Sequence, residues 1–319
     1  MNSSSRRVFV RNAGLAVGAA LTGGRTGPTT LAQAKSRSTE GKGSALRGLL
    51  QQTGLVVIPE CYSALTGLVV EAAGFKAAYC GGHAMGGMHL GIPDHGLITV
   101  SEMIELSSRI AQTISIPLIA DADQAGETAL TVHRAVKEFE KGGVAGIHIE
   151  DTVNPKHMGT GDFLQSISEM SARISTAADA RSDPDFLIIA RTDELYNGGL
   201  LREAIRRGVA YAEAGADVFM CLHMTPSQID EIAGEVPIPL LDINQPVRVV
   251  SQTKLVMDIF TGHAVSAAAQ IHDSMLRELK ENGELPNLAQ QRFPRDKYEQ
   301  LMKDSEYTSL AKRWAARSR

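Results

Sequence analysis

Eight short apolar runs dominate this sequence, and each is followed by a segment with helical periodicity. The runs lie at 55–60, 76–81, 116–123, 146–151, 186–193, 217–222, 238–243 and 254–259. Because they are continuously hydrophobic, they are typical of parallel strands that helices cover on both faces of the sheet. The segments between them, such as "ALTVHRAVKEFEKGG", repeat apolar residues every three or four positions and end at glycine. Eight strand-helix units in succession predict one α/β domain, a (β/α)8 TIM barrel.

Composition excludes several classes of partner. The 319 residues carry a formal net charge of −4, so no basic excess favours nucleic acid, and the length suits one large barrel. No apolar run is long enough to span a membrane. The cysteines Cys61, Cys80 and Cys221 show no CxxC or Cys/His spacing, which predicts neither a disulfide framework nor a zinc site.

The first 34 residues differ in character from the rest. Arg6 and Arg7 precede a weakly apolar stretch at 13–21, and Ala-Gln-Ala follows at 32–34. This is the order of a cleavable export signal, and "SRRVFVR" resembles the twin-arginine motif. The predicted organisation is an export signal at 1–34, a polar linker at 35–47, the barrel at 48–285 and a helical extension at 286–319. The protein would then be exported to a bacterial periplasm, whereas a mere basic tail would leave it in the cytoplasm.

Acidic side chains gather where the predicted strands end, which is the face where such barrels carry their active sites. Asp121 and Asp123 end the third run, and Glu150 ends the fourth. Since Ala122 takes the opposite face, both aspartates should point into the barrel mouth. An oxygen-only ligand set suits Mg²⁺ or Mn²⁺ better than zinc. The pattern therefore predicts a metal site formed by Asp121, Asp123 and Glu150.

Arg191, at the end of the fifth run, offers a planar fork for a carboxylate or phosphonate. Together with the predicted metal, it indicates a small anionic substrate. The alternative is that some of these residues, Asp151 and Asp193 among them, are surface carboxylates that cap the next helix.

Several motifs in fixed order resemble those of the isocitrate lyase and phosphoenolpyruvate mutase superfamily. They are "ADAD" after "IPLI", "GVAGIHIED" followed by "NPKHMG", "DPDFLIIARTDE" and "AYAEAGAD", and the resemblance extends over 54–285. It is strongest to short members such as methylisocitrate lyases, carboxyphosphonoenolpyruvate mutases and oxaloacetate decarboxylases. The resemblance implies a barrel whose last helix is swapped between subunits, in a homotetramer built as a dimer of dimers. It also implies Mg²⁺ and a small 2-oxo or 2-hydroxy acid substrate.

The resemblance assigns roles to particular residues. Asp121 corresponds to the metal aspartate, with Asp123 and Glu150 as its partners. Arg191 corresponds to the substrate-binding arginine. The residues in the remaining substrate-binding positions are Cys80, Gly81, Gly82, Asp94 and Asn244, the last only if the strand-seven position is shifted by one.

The sequence departs from the family in its proton-transfer residues. The lyases carry Lys-Lys/Arg-Cys-Gly-His on a gating loop, and this chain has Lys-His-Met-Gly-Thr at 156–160. A thioether does not transfer a proton, so Met158 removes the usual acid or base. Lys156 and His157 remain as candidate proton handlers, beside Arg191 and Glu150 as catalytic residues.

Other positions change from polar to apolar. Leu222 stands where a glutamate follows strand six in the family, and Ile243 stands where strand seven has an asparagine. The scaffold and the predicted metal site are kept, whereas the residues that define the reaction are altered.

These observations predict a Mg²⁺-dependent lyase that acts on a small 2-oxo or 2-hydroxy di- or tricarboxylic acid through a metal-stabilised enolate. Decarboxylation or C–C cleavage is favoured, because CO₂ departs without needing a proton from the protein. The alternatives are a phosphonate mutase or hydrolase that cleaves a P–C bond or oxaloacetate, and a noncatalytic periplasmic protein that binds dicarboxylates.

Overall fold

The structure, a computed structural model, describes residues 41–158, 164–289 and 291–317. The predicted export signal and residues 159 and 160 of the gating-loop motif lie outside these ranges. The strands are β1 (Val56–Pro59), β2 (Ala78–Cys80), β3 (Leu118–Asp121), β4 (Gly146–Glu150), β5 (Leu187–Thr192), β6 (Val218–Cys221), β7 (Leu240–Ile243) and β8 (Leu255–Phe260).

The eight strands form one parallel sheet in the order β1-β8-β7-β6-β5-β4-β3-β2. A parallel bridge between Glu60 and Tyr79 brings the two ends of the sheet together, so the barrel is nearly closed. The predicted (β/α)8 architecture is confirmed, and each predicted run coincides with one of the strands, with β8 extending one residue past its run.

Thirteen α-helices accompany the strands in the described part of the chain. They are α1 (Lys42–Leu49), α2 (Ala64–Ala72), α3 (Gly82–Met85), α4 (Val100–Thr113), α5 (Ala129–Lys141), α6 (Ile167–Ala180), α7 (Leu201–Glu213), α8 (Pro226–Glu235), α9 (Val247–Val250), α10 (His263–Asn282), α11 (Pro286–Ala289), α12 (Arg295–Leu301) and α13 (Asp304–Arg317). A π-helical turn, Gly86–Leu90, follows α3. None of these helices is both long and apolar enough to cross a bilayer.

Capping residues explain where several helices begin. Thr99 before α4 accepts a hydrogen bond from the Glu102 N–H, and the Glu102 side chain accepts one from the Thr99 N–H. Ser166 and Glu169 form the same reciprocal pair before α6. Such caps satisfy N–H groups that have no partner inside the helix, and they start these helices directly after the loops at the barrel mouth.

Alternation along the strands divides the core into two layers. On β6, Val218, Met220 and Leu222 face the barrel interior, whereas Phe219 and Cys221 face the surrounding helices. Helix α1 begins within the stretch predicted as a linker and extends to Leu49, and its Leu46 belongs to the interior layer. This packing shows that the folded part begins ahead of residue 48.

The last helices leave much apolar surface uncovered. Helix α10 has no buried residue, and the same is true of α12 and α13. Exposed apolar side chains on these helices are Ile271, Leu276, Leu279, Tyr298, Tyr307, Leu310 and Trp314.

Candidate metal centre and active site

A cavity of about 420 Å³ opens at the carboxyl ends of the strands. Its lining combines charged residues from β3, β5 and the following loops with apolar residues from β6 and β7. The lining residues are Tyr79, Gly81, Gly82, His83, Pro93, Asp94, His95, Asp121, His157, Arg191, Tyr196, Met220, Leu222, Ile243 and Thr261.

A larger cavity of about 630 Å³ lies to the side, near the start of α4 and α6. Its arginine, Arg173, already donates hydrogen bonds to the backbone carbonyls of Gln124 and Glu127. Because that cation is already bonded to the protein, we place the chemistry in the smaller cavity, where titratable groups converge.

Three buried residues bring potential metal ligands together at the mouth. Asp121, His148 and Glu150 each offer one ligand atom, and these atoms all lie within 4.8 Å of one another. Asp121 pairs in register with His148, the adjacent position on β4, and Glu150 follows His148 on the same face two residues later. Parallel pairing between β3 and β4 therefore builds the cluster.

His148 supplies a ligand atom that the sequence analysis did not assign to the metal. Burial lowers its pKa, which keeps the imidazole neutral and suited to metal binding. Its Nε2 lies 2.9 Å from the Tyr79 hydroxyl and 3.5 Å from Asp121 Oδ1. The signal in the sequence was the His-Ile-Glu spacing, which puts both side chains on one face of β4.

Asp123 does not occupy the predicted ligand position beside Asp121. The strand ends at Asp121, and Asp123 has a φ of 46°, so the two residues are not successive inward positions of one strand. The Asp123 N–H donates to Asp121 Oδ1 over 2.9 Å, and its carboxylate accepts from Lys156 Nζ over 2.7 Å. The turn after β3, which strand periodicity does not reveal, redirects this carboxylate toward Lys156.

Lys156 is buried among carboxylates. Its Nζ lies 2.7 Å from Asp123 Oδ1, 2.9 Å from Glu150 Oε1 and 3.4 Å from Asp94 Oδ1. Although burial opposes the charge, these carboxylates hold the pKa of Lys156 well above its usual value. The side chain is therefore a fixed ammonium.

Among the residues that the structure describes, acidic groups outnumber cations at the mouth. The acidic side chains there are Glu60, Asp94, Asp121, Asp123, Glu150 and Asp193, against the cationic Lys156, Arg191 and His157. Burial and the nearby Asp121 raise the pKa of Asp123 despite the ion pair with Lys156. The buried Oε2 of Glu150 lies 2.8 Å from Arg191 Nη1 but makes no hydrogen bond. Excess negative charge and a buried carboxylate oxygen without a hydrogen bond fit an added divalent cation.

Arg191 is held by two carboxylates. Its Nε and Nη2 donate to the two oxygens of Asp193 over 2.8 and 3.0 Å, and Nη1 pairs with Glu150. The guanidinium lines the cavity as predicted, but one edge of its fork is directed at Asp193. Asp193 is fully buried, so it is not a surface helix cap.

Asp151 is also buried, on the opposite face of the sheet from Glu150. Its Oδ2 accepts hydrogen bonds from Arg207 Nη1 and the Tyr211 hydroxyl, both over 2.9 Å. This carboxylate joins β4 to α7, so the expectation of a surface helix cap was wrong here as well.

His157 enters the cavity while its neighbour Met158 does not. Its Nε2 lies 3.2 Å from Asp193 Oδ2, and its Nδ1 lies 3.6 Å from Asp94 Oδ2. These two carboxylates raise the pKa of His157 to about 10, so the ring is an imidazolium at neutral pH. Met158 is 50% exposed and does not line the cavity. A φ of 58° at His157 turns the backbone at this point.

Asp94 lies on the opposite side of His157 from Asp193. His157 and Lys156 lower the pKa of this half-buried carboxyl to about 2 against the effect of burial. It lines the cavity next to the cluster.

The Cys-Gly-Gly segment is only partly placed as expected. Gly81 and Gly82 line the cavity, and the Gly82 N–H donates to Asp121 Oδ2 over 2.8 Å. A Cβ at Gly81 would lie 2.9 Å from the Tyr79 ring, so this position requires glycine. Cys80 is fully buried in the layer beneath the helices, because Tyr79 and Gly81 take the inward positions. Its thiol therefore lies outside the cavity.

Asn244 also differs from its predicted role. Its side chain is bonded to the backbone of Thr261, donating to the carbonyl and accepting from the N–H. Ile243 lines the cavity in its place, and the shift of one residue along strand seven does not occur.

A parallel barrel with a buried acid and histidine cluster at its mouth, which could hold a metal ion, defines a class of (β/α)8 enzymes whose site faces a small cavity. The profile of the phosphoenolpyruvate phosphomutase family matches residues 46–280. This chain therefore belongs to that family, within the superfamily of phosphoenolpyruvate mutases and isocitrate lyases.

Similar proteins are lyases, mutases and hydrolases. The 2,3-dimethylmalate lyase of Eubacterium barkeri is 43% identical over 175 residues, 54% of this chain and 60% of that protein. The 2-methylisocitrate lyase of Aeropyrum pernix is 34% identical over 279 residues, 84% of this chain and 89% of that protein. A crystal structure of phosphonopyruvate hydrolase in complex with oxalate and Mg²⁺ has a TM-score of 0.78 and 29% identity, covering 86% of this chain and 100% of the other. The chain is thus an enzyme of the carbon-carbon lyase or mutase type.

Proposed function

We propose that this protein is a Mg²⁺-dependent lyase that cleaves a C–C bond in a small 2-oxo or 2-hydroxy dicarboxylic acid. The observation that carries the proposal is the cluster of Asp121, His148 and Glu150 in a cavity with excess negative charge. The relatives named for dimethylmalate and methylisocitrate support the substrate class, and the hydrolase complex with Mg²⁺ and oxalate supports the ion.

Asp121 and Glu150 would hold the cation through carboxylate oxygens, which suit Mg²⁺ or Mn²⁺, and the softer imidazole of His148 would complete the set. When bound, the ion supplies positive charge to a substrate oxygen on which negative charge develops. Lys156 keeps Asp123 and Glu150 in place through its two short contacts. Arg191, locked by Asp193, presents its charge to a substrate carboxylate in the cavity.

His157 is the proton donor that we propose for the departing group. Cleavage of a 2-hydroxy diacid passes the hydroxyl proton to water, turns C2 into a carbonyl, and leaves the electron pair of the C2–C3 bond on the departing acid. That carbon then takes a proton, and the His157 imidazolium between Asp94 and Asp193 holds one at the edge of the cavity.

The test is a screen of the purified protein for Mg²⁺-dependent release of pyruvate. The panel is 2,3-dimethylmalate, 2-methylisocitrate, oxaloacetate and phosphonopyruvate. Asp121→Asn should abolish turnover, whereas Asp179→Asn on the exposed face of α6 should leave it unchanged. Saturable binding without any product would favour the noncatalytic binding protein, and phosphate release from phosphonopyruvate would favour the hydrolase.

We also propose that α10 is exchanged between subunits of a homotetramer. The support is that α10 buries none of its residues against its own barrel although it carries exposed Ile271, Leu276 and Leu279. A monomer would leave these side chains in water.

Export through the twin-arginine pathway is a further proposal. It is supported by the order of Arg6 and Arg7, the apolar stretch and the Ala-Gln-Ala site in the sequence.

A further inference from the structure

The barrel mouth is chemically divided into two halves. The inward positions at the ends of β3, β4 and β5 carry Asp121, Glu150 and Arg191. The corresponding positions on β6 and β7 carry Leu222 and Ile243. One side of the cavity is therefore a charged wall and the other is an apolar wall.

The apolar wall is built by strand alternation. Met220 lies below Leu222 on the inner face of β6, and both line the cavity. Asp242, between Leu241 and Ile243, faces outward and accepts hydrogen bonds from the His223 and Met224 N–H groups. The acidic residue of this half is thus kept out of the cavity.

Tyr196 extends the apolar wall toward solvent. Its ring makes edge-to-face contacts with His157 and His223, with centroids 5.4 and 5.2 Å away. The face of the wall thus consists of an aromatic ring and aliphatic side chains from β6 and β7.

The basic groups among the described lining residues belong to other elements. They are His83 of α3, His95 of the loop before α4, His157 of the loop after β4, and Arg191 of β5. A substrate carboxylate gains a partner when it points toward these groups. Against Leu222 and Ile243 it would lose water and gain no partner, which is unfavourable.

The geometry points to a substrate that carries an alkyl substituent on the carbon facing β6 and β7, a branched C4 dicarboxylic acid rather than a tricarboxylic acid. We infer that Leu222 and Ile243 determine this specificity. The inference rests on the proposed lyase function and deepens it by naming the substrate class. One methylene in such a pocket changes selectivity by roughly 10- to 200-fold.

The experiment compares malate, 2,3-dimethylmalate and 2-methylisocitrate with the full protein in the presence of Mg²⁺. Selectivity between two compounds is the ratio of their kcat/KM values if they yield product. If they yield none, it is the ratio of their Kd values from calorimetry. We expect at least a tenfold preference for 2,3-dimethylmalate over malate and over 2-methylisocitrate. An equal or reversed order overturns the inference, whether or not turnover is found.

The two failures are distinguishable. A binding preference for 2,3-dimethylmalate without turnover of any compound supports the apolar wall and refutes the proposed lyase. Turnover of malate or 2-methylisocitrate as the better substrate supports the lyase and refutes the alkyl specificity.

A pair of variants tests whether the apolar wall causes the preference for 2,3-dimethylmalate. Leu222→Gln should lower the preference for 2,3-dimethylmalate over malate at least tenfold. Leu200→Gln, at an exposed leucine ahead of α7, is the matched control and should leave the preference unchanged. An unchanged preference in a folded Leu222→Gln protein overturns the assignment. If that variant does not fold, the ligand series with the unmodified protein still decides the inference.

Discussion

His157 and Met158 are neighbours in sequence with different environments. His157 lies in the cavity between two carboxylates, whereas Met158 lies half exposed outside it. We expect His157→Gln to lower kcat by about 10²- to 10⁴-fold, the usual contribution of a positioned acid. Met158→Cys should change kcat less than about threefold, because its side chain does not reach the cavity.

Steady-state kinetics on the preferred substrate, with saturating Mg²⁺, measure both effects. His133→Gln, exposed on α5, is the matched control for loss of an imidazole. A large gain in kcat for Met158→Cys would show that residue 158 enters the cavity during turnover and that His157 is not the proton donor.

Lys156 compensates the negative charge of three carboxylates, from Asp94, Asp123 and Glu150. Lys156→Met should lower the free energy of unfolding by about 3 kcal/mol without Mg²⁺, since it leaves buried charge uncompensated. Saturating Mg²⁺ should restore part of this loss by supplying positive charge to the same carboxylates.

Thermal unfolding with and without Mg²⁺ tests this prediction. The rise in Tm on adding Mg²⁺ should be larger for Lys156→Met than for the unmodified protein. Lys141→Met at the exposed end of α5 should respond like the unmodified protein. Equal Mg²⁺ shifts in all three proteins would contradict a cation site next to Lys156.

The adjacent strands β7 and β8 carry a pair of buried carboxyl groups on the outer face of the barrel, toward the surrounding helices. Asp242 and Asp258 pair in register and lie between the inward residues of their strands. Asp258 accepts hydrogen bonds from the Gln245 N–H, and burial together with Asp242 raises its pKa to about 7. Both carboxyl groups accept hydrogen bonds from backbone N–H groups of nearby loops, which indicates a structural role.

Asp258→Asn should stabilise the protein at high pH. The folded pKa lies above the unfolded value of about 3.9, so the folded state binds the proton more tightly. The cost of ionising Asp258 is absent below about pH 4, grows as the pH rises toward 7, and is complete above 7. The variant should gain on the order of 4 kcal/mol at pH 8 and nothing at pH 4.

Denaturant unfolding at pH 4, 6 and 8 measures this difference. The gain should increase through the series, and Asp179→Asn on α6 should show no such trend. A constant difference at all three pH values would mean that the hydrogen bond from Gln245, rather than the charge, dominates at this position.

The last helices bear on the assembly of the molecule. Exposed Leu276 and Leu279 on α10 should lie in a subunit interface, so light scattering should give a mass of several times the 34.1 kDa of one chain. Leu276→Glu with Leu279→Glu should shift the mass to smaller species. Glu281→Lys, on the same helix, is the control for a changed charge. A monomer mass for the unmodified protein would refute the exchanged helix.

The proposed export signal at 1–34 predicts where the protein is found. Arg6→Lys together with Arg7→Lys should retain the protein in the cytoplasm of a bacterium that has the twin-arginine pathway. Cell fractionation with immunoblotting measures this, and the unmodified protein should appear in the periplasm at a lower mass. Periplasmic protein from both versions would contradict the twin-arginine assignment.

Strand periodicity predicted the barrel because it reflects local chemistry. A strand covered on both faces is largely apolar, and β3 to β6 are each buried over their whole length, with charged residues only toward the ends of β3, β4 and β5. The same logic brought Asp121, Glu150 and Arg191 to one mouth, since parallel strands end on one side of the sheet. Register and alternation within the strands were enough for these residues.

Residues just beyond the strand ends were predicted less well. Asp123 turns toward Lys156 at a positive φ, and Asn244, also at a positive φ, turns toward Thr261. Such turns depend on partners far away in the chain, so alternation no longer tells where a side chain points. Cys80 is a different case, because the structure shows that Tyr79 and Gly81 take the inward positions on its strand.

The sequence by itself determined the eight-stranded barrel, the family motifs and the acidic character of the mouth, because each depends on residue type and local spacing. Only the tertiary structure decided that His148 joins Asp121 and Glu150, that Lys156 is the buried counter-ion, and that β6 and β7 form an apolar wall. These features depend on strand register and on loops that bring distant residues within a few ångströms. That proximity sets the charges and protonation states of the site.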